Sequence, residues 1–492
     1  MQGEERGKWK KWIVERGGGR FRSFVQPALS LSNNRQVESF CHCHSTFLFP
    51  LSTDFILPFF HSFPILMCMS LYDLPYMVMA DSEGQVFEHP VLRMVGRTGY
   101  EHRPPEQGEL IALPQGSDLH ILPGRHPVGI DPGTGQQHTI TSFEGEPVSA
   151  VSSFLAPAHT VFLWSAFKRN PDAPVLPLYA YAALGWGQEG FITAGKRVDP
   201  DPRQDLENFP QDGEEDISAD VMVCDHPGNR LIKHLSHCCI VYRCPAARNY
   251  FLGRYEAPLP TSTGCNAACL GCISLQENTG IPCTQDRIDF IPTPEEIAEV
   301  ALGHIERAED AVVSFGQGCE GEPLTNWKTL LEAITLIRNR TPEGTINLNT
   351  NASMPRALED LFDAGLDSIR VSLNSARKDI YTRYFQPVNY SFEDVVISME
   401  IAKIRNKFVS VNYFVFPGVT DEVDELEAIN QLQERTRFDM IQWRNLNIDP
   451  DLYLEALGGK RGAALGIGRV MDRLKELHPA LRYGYFNPSL NK

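Results

Sequence analysis

The sequence has little positive charge for its length, and it uses cysteine sparingly outside a few clusters. Lys and Arg together number 45 against 62 Asp and Glu in 492 residues, so the formal net charge is −17. That balance repels a phosphate backbone and disfavours nucleic acid as a partner. The 12 cysteines are clustered, and none follows Cys319. This pattern favours a metal site over a disulfide framework, which is typical of small secreted domains.

A long uninterrupted apolar run is also missing. The most apolar stretch, residues 47–69, is broken by Asp54, by His61 and by prolines at positions 50, 58 and 64. Charges and helix breakers are costly in a bilayer, so we predict no membrane partner. Acidic residues near the start of the chain differ from the acid-poor pattern of a transit peptide, and we predict a cytoplasmic protein.

Residues 1–68 differ in composition from the rest of the chain. They are rich in Arg, Ser and Phe and carry more basic than acidic residues. We interpret them as an extension that is disordered or wrongly included, with the start at Met69, Met77 or Met79. The stretch CHCH at positions 41–44 contains zinc ligands, but an unstructured segment is the preferred interpretation.

Residues 69–255 are predicted to form a separate, mainly-β domain. Runs such as QVFEHPVLRMVG and AHTVFLWSAF are separated by turn sequences such as DPGTGQQ, and no long helical period precedes Arg230. The acidic, proline-bearing stretch 198–220 is typical of an exposed linker or loop. The domain ends in a cysteine-rich segment, in which the run IVY at 240–242 predicts a strand.

After residue 255, short apolar strands alternate with amphipathic helices. One helix starts after the cap Thr293, and another is closed by Gly365. About six such units fit into residues 256–450, which predicts a parallel sheet with helices outside. Six units are fewer than the eight of a closed TIM barrel. The predicted fold class is therefore α/β, a partial (β/α)6 TIM-like barrel, with residues 451–492 as a C-terminal helical extension.

Cys265, Cys269 and Cys272 lie in the stretch GCNAACLGCI with the spacing CxxxCxxC. They follow the first predicted strand, near 258–262, and α/β barrels place their chemistry beyond the carboxyl ends of strands. Three thiolates this close can hold zinc or an iron–sulfur cluster, but a structural zinc site uses four protein ligands. A [4Fe–4S] cluster held by three cysteines keeps one iron open for another ligand.

This motif resembles the signature of the radical SAM superfamily. The resemblance implies a partial (β/α)6 barrel and a [4Fe–4S] cluster whose open iron binds S-adenosyl-L-methionine (SAM). It also implies an enzyme that cleaves SAM reductively to a 5′-deoxyadenosyl radical and abstracts hydrogen from a substrate, with an electron donor such as flavodoxin or ferredoxin. The family often has an aromatic residue before the third cysteine, where this chain has Gly271, which leaves the packing over the cluster open.

Three further segments resemble parts of the family that bind SAM, each at the end of a predicted strand. Gly321 and Glu322, in SFGQGCEGEPL, resemble the loop that binds the methionine amino group through backbone oxygens, where glycine permits a close approach. Ser372 and Asn374, in RVSLNSA, resemble residues that bind the ribose hydroxyls. Asn412 and the FPG turn that follows it resemble the region around adenine.

A second group of cysteines precedes the motif, interspersed with histidines. Its members are Cys224, Cys238, Cys239 and Cys244, with Cys283 or Cys319 as further candidates. An auxiliary iron–sulfur cluster is one interpretation, because many radical SAM enzymes carry one. The other interpretation is that these are small buried apolar side chains, since vicinal cysteines rarely bind the same metal.

The resemblance does not extend to a substrate, and we predict a small molecule or a peptide. Residues near strand ends that can bind an anionic group are Arg370, Arg377, Arg444 and Asn445. A second hypothesis is a non-catalytic scaffold in which the motif holds zinc or an iron–sulfur cluster. A third, an RNA-modifying radical SAM methyltransferase, is disfavoured because such enzymes use a cysteine in the C-terminal part of the chain. No catalytic residue beyond the cofactor ligands is assigned.

Overall fold

The computed structural model describes residues 69–210, 212–277, 279–458 and 462–490. The N-terminal extension, with its zinc-ligand stretch at 41–44 and most of the apolar run, lies outside these ranges. Within them, the helices lack the combination of length and apolar character that crossing a membrane requires.

Residues 76–197 form antiparallel β-structure. Its strands are β1 (Tyr76–Ala80), β2 (Val86–Met94), β3 (Gly96–Thr98), β4 (Glu101–Arg103), β5 (Leu110–Ala112), β6 (Asp118–Leu122), β7 (Arg125–Ile130), β8 (Gln137–Thr139), β9 (Ser142–Phe143), β10 (Glu146–Pro147), β11 (Ser149–Phe154), β12 (His159–Val161), β13 (Trp164–Ser165), β14 (Phe167–Arg169), β15 (Leu184–Trp186) and β16 (Phe191–Arg197).

The main antiparallel sheet is arranged around β1. This strand pairs with β2, β11 and β15, and the sheet follows the order β12-β16-β15-β1-β2-β7-β14. Met79 and Ala80 have no exposed surface, so β1 lies in the core of the region. The strand content agrees with a mainly-β region, while its boundaries at residues 69 and 255 stay predictions.

Three helices follow these strands, namely α1 (Glu214–Asp225), α2 (Arg230–Ile240) and α3 (Pro245–Phe251). The prediction of a linker or loop at 198–220 is wrong for its last residues. The acidic residues that suggested it lie in the first turn of α1, where negative charge stabilises a helix. The predicted strand at 240–242 is also wrong, because the Asn229 side chain caps α2 by accepting a hydrogen bond from the Ile232 N–H, 3.0 Å, and the helix runs to residue 240.

A seven-stranded parallel sheet forms the second half of the described fold. Its strands are β17 (Glu256–Leu259), β18 (Val312–Phe315), β19 (Thr345–Thr350), β20 (Ser368–Leu373), β21 (Phe408–Val415), β22 (Met440–Asn445) and β23 (Arg482–Gly484). Strands that follow one another in the chain are neighbours in the sheet, and every pair is parallel. The connecting helices are α4 (Pro294–Arg307), α5 (Trp327–Arg338), α6 (Pro355–Ala364), α7 (Lys378–Phe385), α8 (Phe392–Ile404), α9 (Val423–Thr436), α10 (Pro450–Leu457) and α11 (Ile467–Leu477).

The predicted elements of this half have counterparts in the structure, and the α/β fold class is confirmed. Thr293 and Glu296 form a capping box at the start of α4, and Gly365 ends α6 in the left-handed conformation. The sheet has one strand more than the six predicted units, because β23 joins it. Residues 451–492 are therefore not only helical, and the three-residue strand was missed because it is too short to show a periodic pattern.

The antiparallel region packs against the carboxyl ends of β21 and β22. Trp164 contacts Phe416, in the FPG turn after β21, with ring centroids 5.1 Å apart. The Thr160 hydroxyl donates to the carbonyl oxygen of Trp443, 2.6 Å. The fully buried guanidinium of Arg125 forms a salt bridge of 2.7 Å with Asp449, which is also buried. The FPG turn is thus covered by the N-terminal region.

Candidate cofactor site at the cysteine loop

The cysteine loop, residues 264–273, lies between β17 and α4. On one side, its backbone N–H groups at 268 and 270 donate to carbonyl oxygens at the end of α7, both at 3.0 Å. On the other side, its Gly264 carbonyl oxygen accepts a hydrogen bond from the N–H of Glu322, 2.9 Å. Glu322 ends the loop that follows β18, residues 316–322, here called the β18 loop. Two neighbouring segments therefore fix the backbone of the cysteine loop.

The thiols of Cys265, Cys269 and Cys272 influence one another, and the three sulfur atoms do not all lie within 4.8 Å of one another. Burial and the two neighbouring thiols raise the pKa of Cys269 well above its ordinary value. Among the described residues, the metal-ligating atoms that do lie within 4.8 Å of one another belong to another group. That group consists of His234 and Cys238 of α2 and Cys319 of the β18 loop. Thiolates on one tetrahedral zinc lie about 3.8 Å apart, given a Zn–S bond of about 2.3 Å. The wider spacing fits a cluster with one thiolate on each of three irons.

An aromatic side chain packs beside Gly271, where the family often has an aromatic residue of its own. A Cβ at Gly271 would lie 2.9 Å from the hydroxyl oxygen of Tyr384. Tyr384 is buried, and its pKa is raised well above the ordinary value by that burial, with a further contribution from Cys269. The aromatic contact therefore comes from α7. Nothing in the sequence of that helix marks Tyr384, so it was missed.

Arg287 holds the far end of the cysteine loop. Its Nη2 lies 3.4 Å from the sulfur of Cys272, and its Nε donates to the hydroxyl of Ser274, 3.2 Å. A guanidinium beside a thiolate counters the negative charge that three thiolates bring together. Hydrogen bonds to sulfur are also among the factors that set the reduction potential of a cluster. No sequence pattern marked Arg287.

Glu320 joins the ends of the first two parallel strands. Its buried carboxylate accepts hydrogen bonds from the N–H groups of Thr261 and Ser262, at 2.7 and 2.9 Å, beyond β17. It also accepts from Gly316 and Gln317, at 2.8 and 2.7 Å, in the β18 loop. Burial raises the pKa of Glu320 to about 7. This carboxylate was not predicted, since only the next two residues of the loop belong to a motif.

Gly321 and Glu322 lie where the cysteine loop and the β18 loop touch. A Cβ at Gly321 would lie 1.8 Å from the carbonyl oxygen of Gly264, so only glycine fits there. The Glu322 carboxylate is buried and accepts hydrogen bonds from the N–H groups of Leu324, 3.0 Å, and Asn351, 2.8 Å. Burial raises its pKa to about 7. The side chain of Glu322 thus connects the end of the β18 loop to the backbone that follows β19.

The predicted ribose and adenine residues lie on neighbouring strands. Ser372 of β20 stands opposite Asn412 of β21 in the register of the sheet. Asn412 is 9% exposed, and its side-chain oxygen has no hydrogen-bond partner. The Asn374 amide donates to the hydroxyl of Tyr453, 2.9 Å, while its own oxygen has no partner. The buried side-chain oxygens of Asn374 and Asn412 are therefore both without hydrogen-bond partners. Because buried polar groups are normally paired, two such oxygens at neighbouring strand ends fit a site that binds a polar ligand.

Two of the four predicted anion-binding residues have the surroundings for that role. The Arg370 side chain donates to Gln442 at 3.3 Å, its Nε has no partner, and burial, followed by the charge of Arg444, lowers its pKa to about 9. Arg444 lies over the ring of Tyr485, 3.9 Å from its centroid. Within the described ranges, neither guanidinium forms a salt bridge. Arg370 belongs to β20, the central strand of the parallel sheet, and Arg444 belongs to β22, next to the edge strand β23.

The other two predicted anion-binding residues have structural partners. Arg377 forms salt bridges with Glu422, 2.6 Å, and Glu425, 2.8 Å. Asn445 accepts a hydrogen bond from the N–H of Val161, 2.8 Å, and so joins the two halves of the molecule.

The upstream cysteines separate into different environments. Cys238 of α2 and Cys319 of the β18 loop are buried and lie with His234 in one group. The thiol of Cys239 points elsewhere, 3.9 Å from the carbonyl oxygen of Glu215. Cys224 and Cys283 are exposed, and Cys244 is partly buried. The thiols of the vicinal pair Cys238 and Cys239 therefore do not converge on one metal. This agrees with the expectation that vicinal cysteines rarely bind the same ion.

Comparison with known proteins agrees with this geometry. Residues 259–428, which include the cysteine loop, the β18 loop and β18 to β21, match the family model described as the radical SAM superfamily. Residues 259–428 form a radical SAM domain. The predicted resemblance to this superfamily is confirmed for these residues, and the superfamily implies a [4Fe–4S] cluster and SAM as cofactors.

The relatives of this radical SAM domain are distant. The chain is 25% identical over 182 residues to the FeMo cofactor biosynthesis protein NifB of Klebsiella pneumoniae, covering 33% of this chain and 37% of that one. It is 26% identical over 235 residues to a probable GTP 3′,8-cyclase of Halobacterium salinarum, covering 44% and 58%. Among solved structures, a radical SAM methyltransferase from Sphaerobacter thermophilus matches with 15% identity and a TM-score of 0.34, covering 46% and 66%. The chain thus spans less than two thirds of the length of the curated relatives.

Proposed function

We propose that this protein is a radical SAM enzyme acting on a substrate that is a small molecule or a peptide. Cys265, Cys269 and Cys272 hold the [4Fe–4S] cluster at the mouth of a partial (β/α)6 barrel. When bound there, the cluster and SAM would supply one-electron reductive cleavage of SAM to methionine and a 5′-deoxyadenosyl radical that can abstract a hydrogen atom from the substrate. The observation that carries the proposal is the CxxxCxxC loop itself, which follows the first parallel strand and lies inside residues 259–428 that match the radical SAM family model.

The chain's own residues then position SAM along the strand ends. The backbone at Gly321 and Glu322 takes the methionine end, because the contact with Gly264 brings this backbone against the cysteine loop. Ser372 and Asn374 take the ribose, and Asn412 lies next to Ser372 in the register, where it reaches the adenosine. The unpartnered oxygens of Asn374 and Asn412 accept hydrogen bonds from these groups.

The substrate in this proposal carries an anionic group. Arg370 of β20 and Arg444 of β22 are two cations with no salt bridge among the described residues. Glu256 raises the pKa of Arg370, but burial and the charge of Arg444 lower it more, so an anionic ligand would offset the remaining cost of bringing two guanidiniums together. A planar guanidinium also binds carboxylate and phosphate in a bidentate manner. The electron comes from a small donor protein of the flavodoxin or ferredoxin type.

The alternatives are weaker on specific grounds. A zinc scaffold requires the three thiols of the cysteine loop to converge on one ion, and they do not meet within 4.8 Å. An RNA-modifying methyltransferase of the family uses a cysteine in its C-terminal part, and no cysteine follows Cys319. The net charge of −17 also opposes RNA binding.

The test is SAM cleavage by the full chain. The protein is reconstituted anaerobically with iron and sulfide, reduced with dithionite and mixed with SAM, and 5′-deoxyadenosine and methionine are quantified. We expect both products in equal amounts, with a loss of at least about 100-fold in Cys265→Ala, since one lost ligand destabilises the cluster. Cys283→Ala, an exposed cysteine outside the motif, is the matched control and keeps the activity. A loaded cluster that leaves SAM intact, or equal products from all variants, contradicts the proposal.

A further inference from the structure

We propose that His234, Cys238 and Cys319 bind a single divalent cation of the zinc class, at a second metal site apart from the cysteine loop. One ligand atom from each residue lies within 4.8 Å of the other two. His234 and Cys238 are four residues apart on α2, so their side chains share one face of the helix. Cys319 comes from the β18 loop, so two separate segments of the chain meet at the site.

The spacing fits one ion. The Nε2 atom of His234 lies 3.7 Å from the sulfur of Cys238. In a tetrahedral zinc site with Zn–N of about 2.05 Å and Zn–S of about 2.3 Å, the two ligand atoms lie about 3.6 Å apart. An iron–sulfur cluster places its thiolates on different irons and needs a wider spacing, so the group is too tight for the auxiliary cluster considered from the sequence.

The chemistry of the ligands selects the ion. Two thiolates and an imidazole are the set that zinc prefers among common divalent ions, while magnesium and calcium prefer oxygen ligands. Cys238 and Cys319 are 4% and 8% exposed, so bulk water does not compete at the sulfur atoms. Three protein ligands leave the fourth position to a water molecule.

The ion would join α2 to the β18 loop. Cys319 directly precedes Glu320, whose carboxylate holds the ends of β17 and β18 together. The Cys319 carbonyl oxygen also accepts a hydrogen bond from the N–H of Ile288, 2.8 Å, next to Arg287 of the cofactor site. The site would therefore fix the β18 loop through Cys319, in addition to the contact of that loop with the cysteine loop. This inference does not depend on the proposed reaction.

The test measures metal content in a background that lacks the first site. In the full chain carrying Cys265→Ala, Cys269→Ala and Cys272→Ala, we expect one zinc per chain after dialysis against a weak chelator. Adding Cys238→Ser, Cys319→Ser or His234→Gln lowers that content at least about tenfold, since each removes one of three ligands. Cys239→Ser is the matched control, because this cysteine is buried in the same helix but its thiol lies elsewhere, and it keeps the zinc.

A second measurement guards against variants that fail to fold. Cobalt(II) added to the metal-free background chain gives sulfur-to-cobalt charge-transfer absorption in the near ultraviolet, and the band saturates at one equivalent. The inference is overturned if no metal binds, if zinc stays in the His234, Cys238 and Cys319 variants, or if sulfide and iron give a brown cluster in this background. A Cys238–Cys319 disulfide in protein purified anaerobically also overturns it.

Discussion

At Gly271 the cysteine loop has no side chain, and Tyr384 of α7 occupies the adjacent space. The sequence places a glycine before the third cysteine, and the structure places the hydroxyl of Tyr384 against it. Gly271→Ala puts a methyl group 2.9 Å from that oxygen, which is closer than the two atoms can approach. We expect the loop to shift and iron per chain to fall several-fold after reconstitution, because overpacking costs about 1–3 kcal/mol.

The double variant Gly271→Ala, Tyr384→Phe tests whether this contact is the cause. Removing the hydroxyl opens space for the methyl group, so iron content and the absorbance of the cluster recover. Tyr384→Phe alone serves as the control and loads iron like the original protein. Equal iron content in Gly271→Ala and in the original chain argues against a packed contact at this point.

His304 makes the stability of the protein depend on pH. It is completely buried in α4, with Nε2 3.2 Å from the carbonyl oxygen of Tyr255, and burial lowers its pKa from 6.5 to about 4. The unfolded chain therefore binds a proton that the folded chain does not bind between pH 6.5 and 4. The stability contributed by neutral His304 is present above pH 6.5 and is lost as the pH falls, by on the order of 3 kcal/mol at pH 4.

Chemical denaturation at a series of pH values checks this sign. We expect the free energy of unfolding of His304→Gln to fall less steeply between pH 6.5 and 4 than that of the original protein. The exposed His138→Gln is the matched control and keeps the original slope. Parallel curves for His304→Gln and the original chain are the result that does not agree with a neutral buried histidine.

At the scale of elements, the strongly periodic parts of the chain were predictable. The helix over 294–307 has a capping box and an apolar face, and the strand TINLNT is an uninterrupted buried run, so both were found from the sequence. α1 was missed because its acidic first turn resembles a linker, and α2 because IVY at its end resembles a strand. Both helices have local start signals, an acidic first turn and the cap Asn229, which these resemblances obscured.

The candidate site was predictable only where it consists of contiguous motifs. Cys265, Gly321 and Ser372 belong to short signatures and could be named from the sequence, and their roles stay predictions. Arg287 and Glu320 act through contacts with distant parts of the chain, and no spacing in the sequence marks them. Arg377 was named as an anion ligand, but its two carboxylate partners come from α9 and the residue that caps it, more than 40 residues away.

Contact between the cysteine loop and the β18 loop depends on Gly321. We expect Gly321→Ala to separate the loops, because its Cβ would lie 1.8 Å from the carbonyl oxygen of Gly264. SAM binding, measured by equilibrium dialysis on the loaded protein, then weakens by at least about tenfold, or about 1.4 kcal/mol. Gly303→Ala, in α4 with open space around the new methyl group, is the control and binds SAM normally. Unchanged affinity in Gly321→Ala means that the two loops do not form one SAM site.

At the scale of the whole molecule, the antiparallel region and the two loops of the candidate site lie at the carboxyl ends of different strands of the parallel sheet. The antiparallel region covers the ends of β21 and β22, and the buried Arg125–Asp449 salt bridge ties it there. The cysteine loop and the β18 loop lie at the ends of β17 and β18. The FPG turn, expected near adenine, is covered by the N-terminal region, because Trp164 packs against Phe416.

The most direct test of a three-cysteine cluster with an open iron is electron paramagnetic resonance of the reduced full chain, with and without SAM. The account predicts the signal of a reduced [4Fe–4S] cluster whose g values change when SAM is added, because SAM binds the open iron. The signal is lost in the Cys265→Ala, Cys269→Ala, Cys272→Ala variant and is kept in Cys283→Ala. A spectrum that is the same with and without SAM, or that survives in the triple variant, contradicts the assignment of this loop as the cofactor site.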